Sequence, residues 1–257
     1  MSSHTDSLVQ RSARLAADDI DFDAFAHHPL DPSTLRCLQY MCDVEGHTMC
    51  YLREVLATRA HRDPDLTAFL ACWAYEEHWH GAVLSRVLEL HGGQPGSSRA
   101  LALRAGRARR DGLRLMLFTA GSAFTSHLVA IHMAWGAVNE WTTQAGYARL
   151  AARARHPQLT ELLRRIMRQE GRHIDFYATQ ARARLQASAT ARTLTRAALQ
   201  RFWAPVGSGV MPAEDVRFLA HHLFGGSEGL AAARRVDRQI SRLPGLHGLQ
   251  LLERAAT

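Results

Sequence analysis

Two Glu-x-x-His units constrain the fold of this 257-residue chain more than any other feature of its sequence. The first unit is Glu77 to His80 and the second is Glu170 to His173, and each lies within a long stretch of helical hydrophobic periodicity. A helix places residues i and i+3 on one face, so each unit directs a carboxylate and an imidazole to the same side. The pattern therefore predicts two long helices that each carry a pair of candidate metal ligands.

An isolated glutamate precedes each unit on an earlier predicted helix. Glu45 precedes Glu77 by 32 positions, and Glu140 precedes Glu170 by 30 positions. Two helices with a Glu-x-x-His unit and two helices with a single glutamate supply the ligands of a dinuclear carboxylate site in a four-helix bundle. The predicted ligands are Glu45, Glu77, His80, Glu140, Glu170 and His173.

Apolar neighbours distinguish these units from the exposed Glu–His pairs that are common on helix surfaces. Trp73 and Leu84 flank the first unit, and Ile166 and Tyr177 flank the second. Buried carboxylates that converge without a counter-charge repel one another, and their pKa values rise. Two divalent cations remove that cost, so we expect the chain to bind two metal ions.

The ligand from the first long helix requires a choice between two glutamates. Glu45 shares a face with the apolar residues Leu38 and Met49, whereas Glu54 follows Arg53 near the side expected to face outward. Glu45 is therefore the predicted ligand. Four further histidines could be additional ligands, but polar packing or a surface position is the expected role of each: His47, His78, His127 and His132.

Helical periodicity covers almost the whole chain, and no alternating strand pattern of useful length occurs. The sequence predicts an all-α fold in one domain at 33–257, with the metal-binding bundle at 33–187, accessory helices at 188–257 and an N-terminal extension at 1–32. The long helices are predicted from Asp31 to Arg62, from Asp63 to His91, from Asp111 to Arg155 with a break near Gly121, and from Gln158 to Ala187.

The charge of the chain is basic and carried by arginine alone. The 31 basic residues include no lysine, and the net charge is +7. Arginine binds carboxylates and phosphates through two parallel hydrogen bonds. This composition is compatible with an acidic protein partner or a phosphorylated substrate.

The cysteines and the absence of targeting signals suggest an intracellular protein. No Cys-x-x-Cys motif occurs, so reduced thiols in the core are expected. The first residues lack the apolar stretch of a secretory signal, and no window is apolar enough to cross a membrane. We expect a cytoplasmic protein with neither a membrane nor a nucleic-acid partner. The four cysteines are Cys37, Cys42, Cys50 and Cys72.

Several segments resemble the soluble acyl-acyl carrier protein desaturases of the ferritin-like superfamily. Trp73 to Gly81 is similar to the Trp, double Glu, His and Gly pattern of that family, and Gln169 to His173 matches its second metal-binding unit. Tyr51 and Thr143 match a residue of the first helix and a threonine beside the metals. Weaker similarity extends over Ser33 to Ala255.

This resemblance implies a ferritin-like four-helix bundle with additional C-terminal helices and two iron ions, with manganese as the alternative. It implies an enzyme that uses dioxygen and an external electron donor such as ferredoxin to desaturate an acyl chain on an acyl carrier protein. Glu77 and Glu170 would bridge the metals, and Thr143 would assist oxygen activation. The family resemblance further implies a homodimer. Trp73, Glu76 and Gln169 would lie beside the ligands.

The sequence also departs from the family pattern. Gln169 stands where the family has an aspartate that accepts a hydrogen bond from a ligand histidine, and no tryptophan precedes Trp73. The chain is also shorter than the plant enzymes. Two other functions therefore remain: a di-iron hydroxylase or N-oxygenase of a specialised metabolite, and an iron-handling protein of the ferritin type.

Overall fold

The computed structural model describes the backbone of residues 3–257 and the side chains of residues 5–123 and 125–257. The predicted all-α class is confirmed, because this part of the chain contains eleven α-helices and no β-strand. The helices are α1 (Ser3–Arg11), α2 (Ala24–His27), α3 (Pro32–Leu56), α4 (Pro64–Leu90), α5 (Gly96–Phe124), α6 (Leu128–Ala154), α7 (Pro157–Ala187), α8 (Ala189–Phe202), α9 (Ala213–Phe224), α10 (Gly226–Ile240) and α11 (Leu251–Ala256).

Two Asp-Pro sequences begin α3 and α4 as predicted. The Asp31 carboxylate accepts hydrogen bonds from the amides of Ser33 and Thr34, and the Asp63 carboxylate caps α4 in the same way. Such caps satisfy amide donors that have no partner inside the helix. The predicted end of α3 at Arg62 is wrong, because α3 ends at Leu56 and a 3-10 turn occupies Arg59–Arg62.

The predicted start of the third long helix at Asp111 is wrong, because that region is already helical from Gly96. α5 begins at Gly96, whose amide donates to the Ser85 hydroxyl at 2.7 Å. The break predicted near Gly121 lies a few residues later, because α5 continues to Phe124 and α6 begins at Leu128. In the connection, the Thr125 hydroxyl accepts from the amide of His127 at 3.1 Å.

The chain divides into two compact units. Unit 1 comprises Met1–Ala120 and Leu150–Gln169, and unit 2 comprises Gly121–Arg149 and Glu170–Thr257. In unit 1, α3 packs against α4, and Leu38, Leu70 and Leu84 are fully buried. The unit boundaries fall inside α5, α6 and α7, which are single continuous helices.

Unit 2 has its own core, to which the C-terminal helices contribute. Met133, Tyr147 and Phe176 are fully buried, and α9, α10 and α11 pack together. The buried Asp237 of α10 accepts from the amides of Leu252 and Glu253 and so caps α11. Within residues 3–257, no helix combines the length and the apolar character needed to cross a lipid bilayer.

Candidate metal centre

Unit 1 brings together three of the predicted ligands. Glu45 comes from α3, and Glu77 and His80 lie one turn apart on α4. One ligand atom from each of these residues lies within 4.8 Å of the other two. His80 Nδ1 is 2.9 Å from Glu77 Oε2, so the i, i+3 spacing places both donors at one point.

Unit 2 holds the other three predicted ligands in a matching arrangement. Glu140 comes from α6, and Glu170 and His173 come from α7, and their ligand atoms also lie within 4.8 Å of one another. His173 Nδ1 is 2.9 Å from Glu170 Oε2 and 4.0 Å from Glu140 Oε2. Both Glu-x-x-His units therefore present the same atoms at the same separation.

The donors in both groups are buried, and the two groups offer the same set of donors. The six side chains are at most 6% exposed. Each group offers two carboxylates and one imidazole, a donor set that suits iron, manganese and zinc and that contains no sulfur. Buried carboxylates are stable when they coordinate a cation, so the residues of each group fit a divalent metal ion. Three protein donors leave further coordination positions for other ligands.

Gln169 fixes the orientation of the His80 ring. The Gln169 Nε2 amide donates to the Ala13 carbonyl at 2.9 Å, which directs Oε1 towards His80. His80 Nε2 lies 2.8 Å from that oxygen and donates to it. Nε2 is therefore the nitrogen that donates to Gln169, and Nδ1, beside Glu77, is the ring nitrogen placed to bind a metal ion.

The segment that follows α1 is held against these residues by its backbone. The amide of Ala13 donates to Glu76 Oε1 at 3.2 Å, while its carbonyl accepts from Gln169. The guanidinium of Arg14 stacks on the Trp79 ring at 5.2 Å. Residue types could not point to Ala13, because its contacts are made by backbone atoms that every residue carries.

Trp73 and Tyr51, two residues of the family resemblance, are in contact. Trp73 lies one turn before Glu77 on α4 and is buried. Its ring meets the Tyr51 ring edge to face, with centroids 6.0 Å apart. Their packing joins α3 to α4 near the first ligand group.

Thr143 lies one turn after Glu140 on α6 and is half-buried. The adjacent Thr142 is buried, and its hydroxyl donates to the Val138 carbonyl at 2.8 Å. The Thr142 hydroxyl is therefore engaged by the helix backbone.

The expectation that Glu54 faces outward is wrong. Glu54 is only 3% exposed, and its Oε2 accepts from Arg114 of α5 at 3.1 Å. Burial raises the pKa of Glu54, and the Arg114 charge opposes that rise. The sequence near Glu54 could not indicate its burial, because the residue that pairs with it is 60 positions away.

The additional histidines occupy different environments. His78 is exposed and meets the Trp79 ring edge to face, His127 is half-buried, and His132 is buried. His47 is buried, and its Nε2 lies 3.5 Å from the Asp111 carboxylate.

All four cysteines are free thiols, of which Cys37 and Cys42 are buried and Cys50 and Cys72 are half-buried.

Comparisons with protein-family models, with characterised proteins and with solved structures each found no match for this chain. The metal-binding hypothesis consequently rests on the residues and on their geometry.

Proposed function

We propose that this chain is a di-iron oxidoreductase that uses dioxygen, with an acyl chain on a carrier protein as its substrate and desaturation as its reaction. One observation carries the proposal: two buried Glu–His pairs have the same Nδ1–Oε2 separation of 2.9 Å, and each has a further glutamate beside it. Ordinary Glu–His pairs on helices are not expected to be buried twice with the same geometry and a second glutamate beside each pair. A two-metal centre requires this arrangement.

The six residues would divide into equivalent halves. His80 and His173 would each bind one metal ion through Nδ1, and Glu45 and Glu140 would each bind one ion. Glu77 and Glu170 would supply the second carboxylate of each half. When bound, two iron ions supply the activation of dioxygen, with electrons from an external donor such as ferredoxin.

Other residues of the chain would position these ligands and exclude water. Gln169 would hold the proton on His80 Nε2 and so keep Nδ1 available. The Thr143 hydroxyl would carry a proton to the reacting centre, because it lies one turn from Glu140 on the same helix. The burial of all six donors keeps bulk water away from them, which strengthens electrostatic interactions there.

The basic surface charge supports an acidic carrier protein as partner. A net charge of +7, carried by arginine without lysine, favours association with acidic surfaces and with phosphate groups. An acyl carrier protein offers both features, because its surface is acidic and its phosphopantetheine arm carries a phosphate. This part of the proposal rests on composition and on the family resemblance.

The test is iron loading of the full chain without oxygen, followed by oxygen, a reductant and an acyl carrier protein loaded with candidate acyl chains. Mass analysis of the acyl chain should show the loss of two hydrogens. A gain of oxygen would instead indicate a hydroxylase, and iron oxidation without any organic product would indicate an iron-handling protein.

Magnetic measurements on the loaded chain test the centre itself. Two iron ions per chain that are exchange-coupled in Mössbauer and electron paramagnetic resonance spectra would support one dinuclear centre. Two uncoupled iron ions would overturn it in favour of separate mononuclear sites, even if the chain binds the expected amount of iron.

A further inference from the structure

A third group of potential ligands lies in unit 1 and includes none of the six proposed di-iron ligands. It consists of His47 and Cys50, which are one turn apart on α3, and Asp111 of α5. One ligand atom from each lies within 4.8 Å of the other two. We propose that His47, Cys50 and Asp111 bind a single divalent transition-metal ion of the zinc type, which links α5 to α3.

The separation between His47 and Asp111 fits coordination better than direct hydrogen bonding. His47 Nε2 and Asp111 Oδ2 are 3.5 Å apart, beyond the usual range for a strong hydrogen bond. Zinc–nitrogen and zinc–oxygen bonds of about 2.1 Å place two tetrahedral ligands about 3.4 Å apart. An ion of this size would therefore bring both residues to bonding distance with little movement.

His47 is a buried donor that faces the group through Nε2. It is only 9% exposed, and Nε2 is the ring nitrogen beside Asp111. The group combines imidazole, thiol and carboxylate, the three donor types most common around zinc.

The local charges allow a divalent ion. Asp111 contributes one negative charge, and Cys50 contributes a second when the ion displaces its thiol proton to solvent. Arg107, Arg104 and Arg114 are near His47. Arg104 donates to the Gly46 carbonyl, and Arg114 pairs with Glu54. Their positive charge should make binding weaker than in a site closed by four protein ligands.

A sulfur ligand distinguishes this site from the proposed di-iron centre, whose six donors contain none. The experiment is titration of the full chain with Co²⁺, monitored through the near-ultraviolet charge-transfer absorption that only a thiolate–cobalt bond produces. We expect this absorption in the wild type, its loss in Cys50→Ser, and its retention in Cys72→Ser, which alters the other half-buried cysteine.

A second variant keeps the proposal testable if Cys50→Ser is unstable. Asp111→Asn preserves side-chain size and should weaken cobalt binding by about tenfold or more, given the usual effect of removing one charged ligand or its support. Zn²⁺ should raise the melting temperature of the wild type but not of Asp111→Asn. Absence of the absorption band in the wild type, or its persistence in Cys50→Ser, would overturn the proposal. Glu77→Ala should retain the band, because Glu77 is not one of the three ligands proposed here. The test of this site is therefore independent of the test of the di-iron proposal.

Discussion

The amide oxygen of Gln169 lies 2.8 Å from Nε2 of His80, although 89 positions separate the two residues along the chain. Gln169 is itself oriented by the Ala13 carbonyl, which accepts from its Nε2 amide. A ligand histidine normally donates its other ring nitrogen to a carboxylate or a carbonyl. In this chain a neutral amide, anchored on the backbone, takes that place.

Replacing Gln169 should therefore weaken metal binding without unfolding the chain. Gln169→Leu removes the acceptor for His80 Nε2, and we expect iron affinity to fall about 10- to 100-fold. The measurement is iron retention against a competing chelator. Gln186→Leu, an exposed position on the same helix, should bind iron like the wild type. Equal retention in both variants would remove Gln169 from the positioning of His80.

Loss of a proposed glutamate ligand should abolish two-metal binding. Glu77→Ala and Glu170→Ala each remove one carboxylate ligand, while the helical circular dichroism should persist. Iron analysis of the purified chain should give fewer than two ions in each variant. Glu89→Ala alters an exposed glutamate of α4 and should bind two ions. Full iron content in Glu77→Ala would contradict the ligand assignment.

The two neighbouring threonines of α6 provide a matched comparison for proton delivery. Thr143→Val should leave the iron content unchanged and lower the yield of product per dioxygen consumed, because a positioned proton-transfer group usually accelerates its step by about 10²–10⁴-fold. Thr142→Val removes a hydroxyl that bonds to the Val138 carbonyl, so it should leave this yield unchanged. If the yield is the same in Thr143→Val, the hydroxyl has no part in the reaction.

The buried Glu54 should make stability depend on pH in a defined direction. Burial raises the pKa of Glu54 in the folded state, so the folded chain binds this proton more tightly than the unfolded chain. Stability should therefore fall as pH rises through the ordinary and then the raised pKa of this carboxyl. Glu54→Gln removes this contribution.

Urea unfolding at a series of pH values tests this expectation. The stability of Glu54→Gln relative to the wild type should increase as pH rises from acid to neutral. The exposed variant Glu214→Gln should show no comparable change. A relative stability of Glu54→Gln that decreases over this range would mean that the Arg114 ion pair outweighs burial.

Two glycines in helices should respond oppositely to alanine. A Cβ at Gly136 of α6 would overlap the Tyr177 ring of α7, whereas a Cβ at Gly106 of α5 meets nothing within 4 Å. We expect Gly136→Ala to lower the free energy of unfolding by about 1–3 kcal/mol through overpacking. Gly106→Ala should raise it by up to about 1 kcal/mol through helix propensity. Thermal or urea denaturation of both variants measures the difference, and a stabilised Gly136→Ala would contradict the close packing of α6 on α7.

Local rules were sufficient for much of the fold and for the pairing of candidate ligands. Hydrophobic periodicity predicts the all-α class, and the Asp-Pro sequences mark the starts of α3 and α4. The i, i+3 spacing predicts that Glu77 meets His80 and that Glu170 meets His173. Each of these inferences needs only the geometry of one helix, which depends on neighbouring residues.

Features that depend on residues distant in sequence were decided by tertiary structure. The burial of Glu54 depends on Arg114 of α5, and the orientation of Gln169 depends on the backbone of Ala13. Likewise, the grouping of His47 with Asp111 brings together residues of two helices. The sequence by itself determined the helices and the faces that carry the glutamates and histidines, because those follow from local periodicity. Only the tertiary structure decided which side chains those faces meet, because packing joins positions that no local pattern connects.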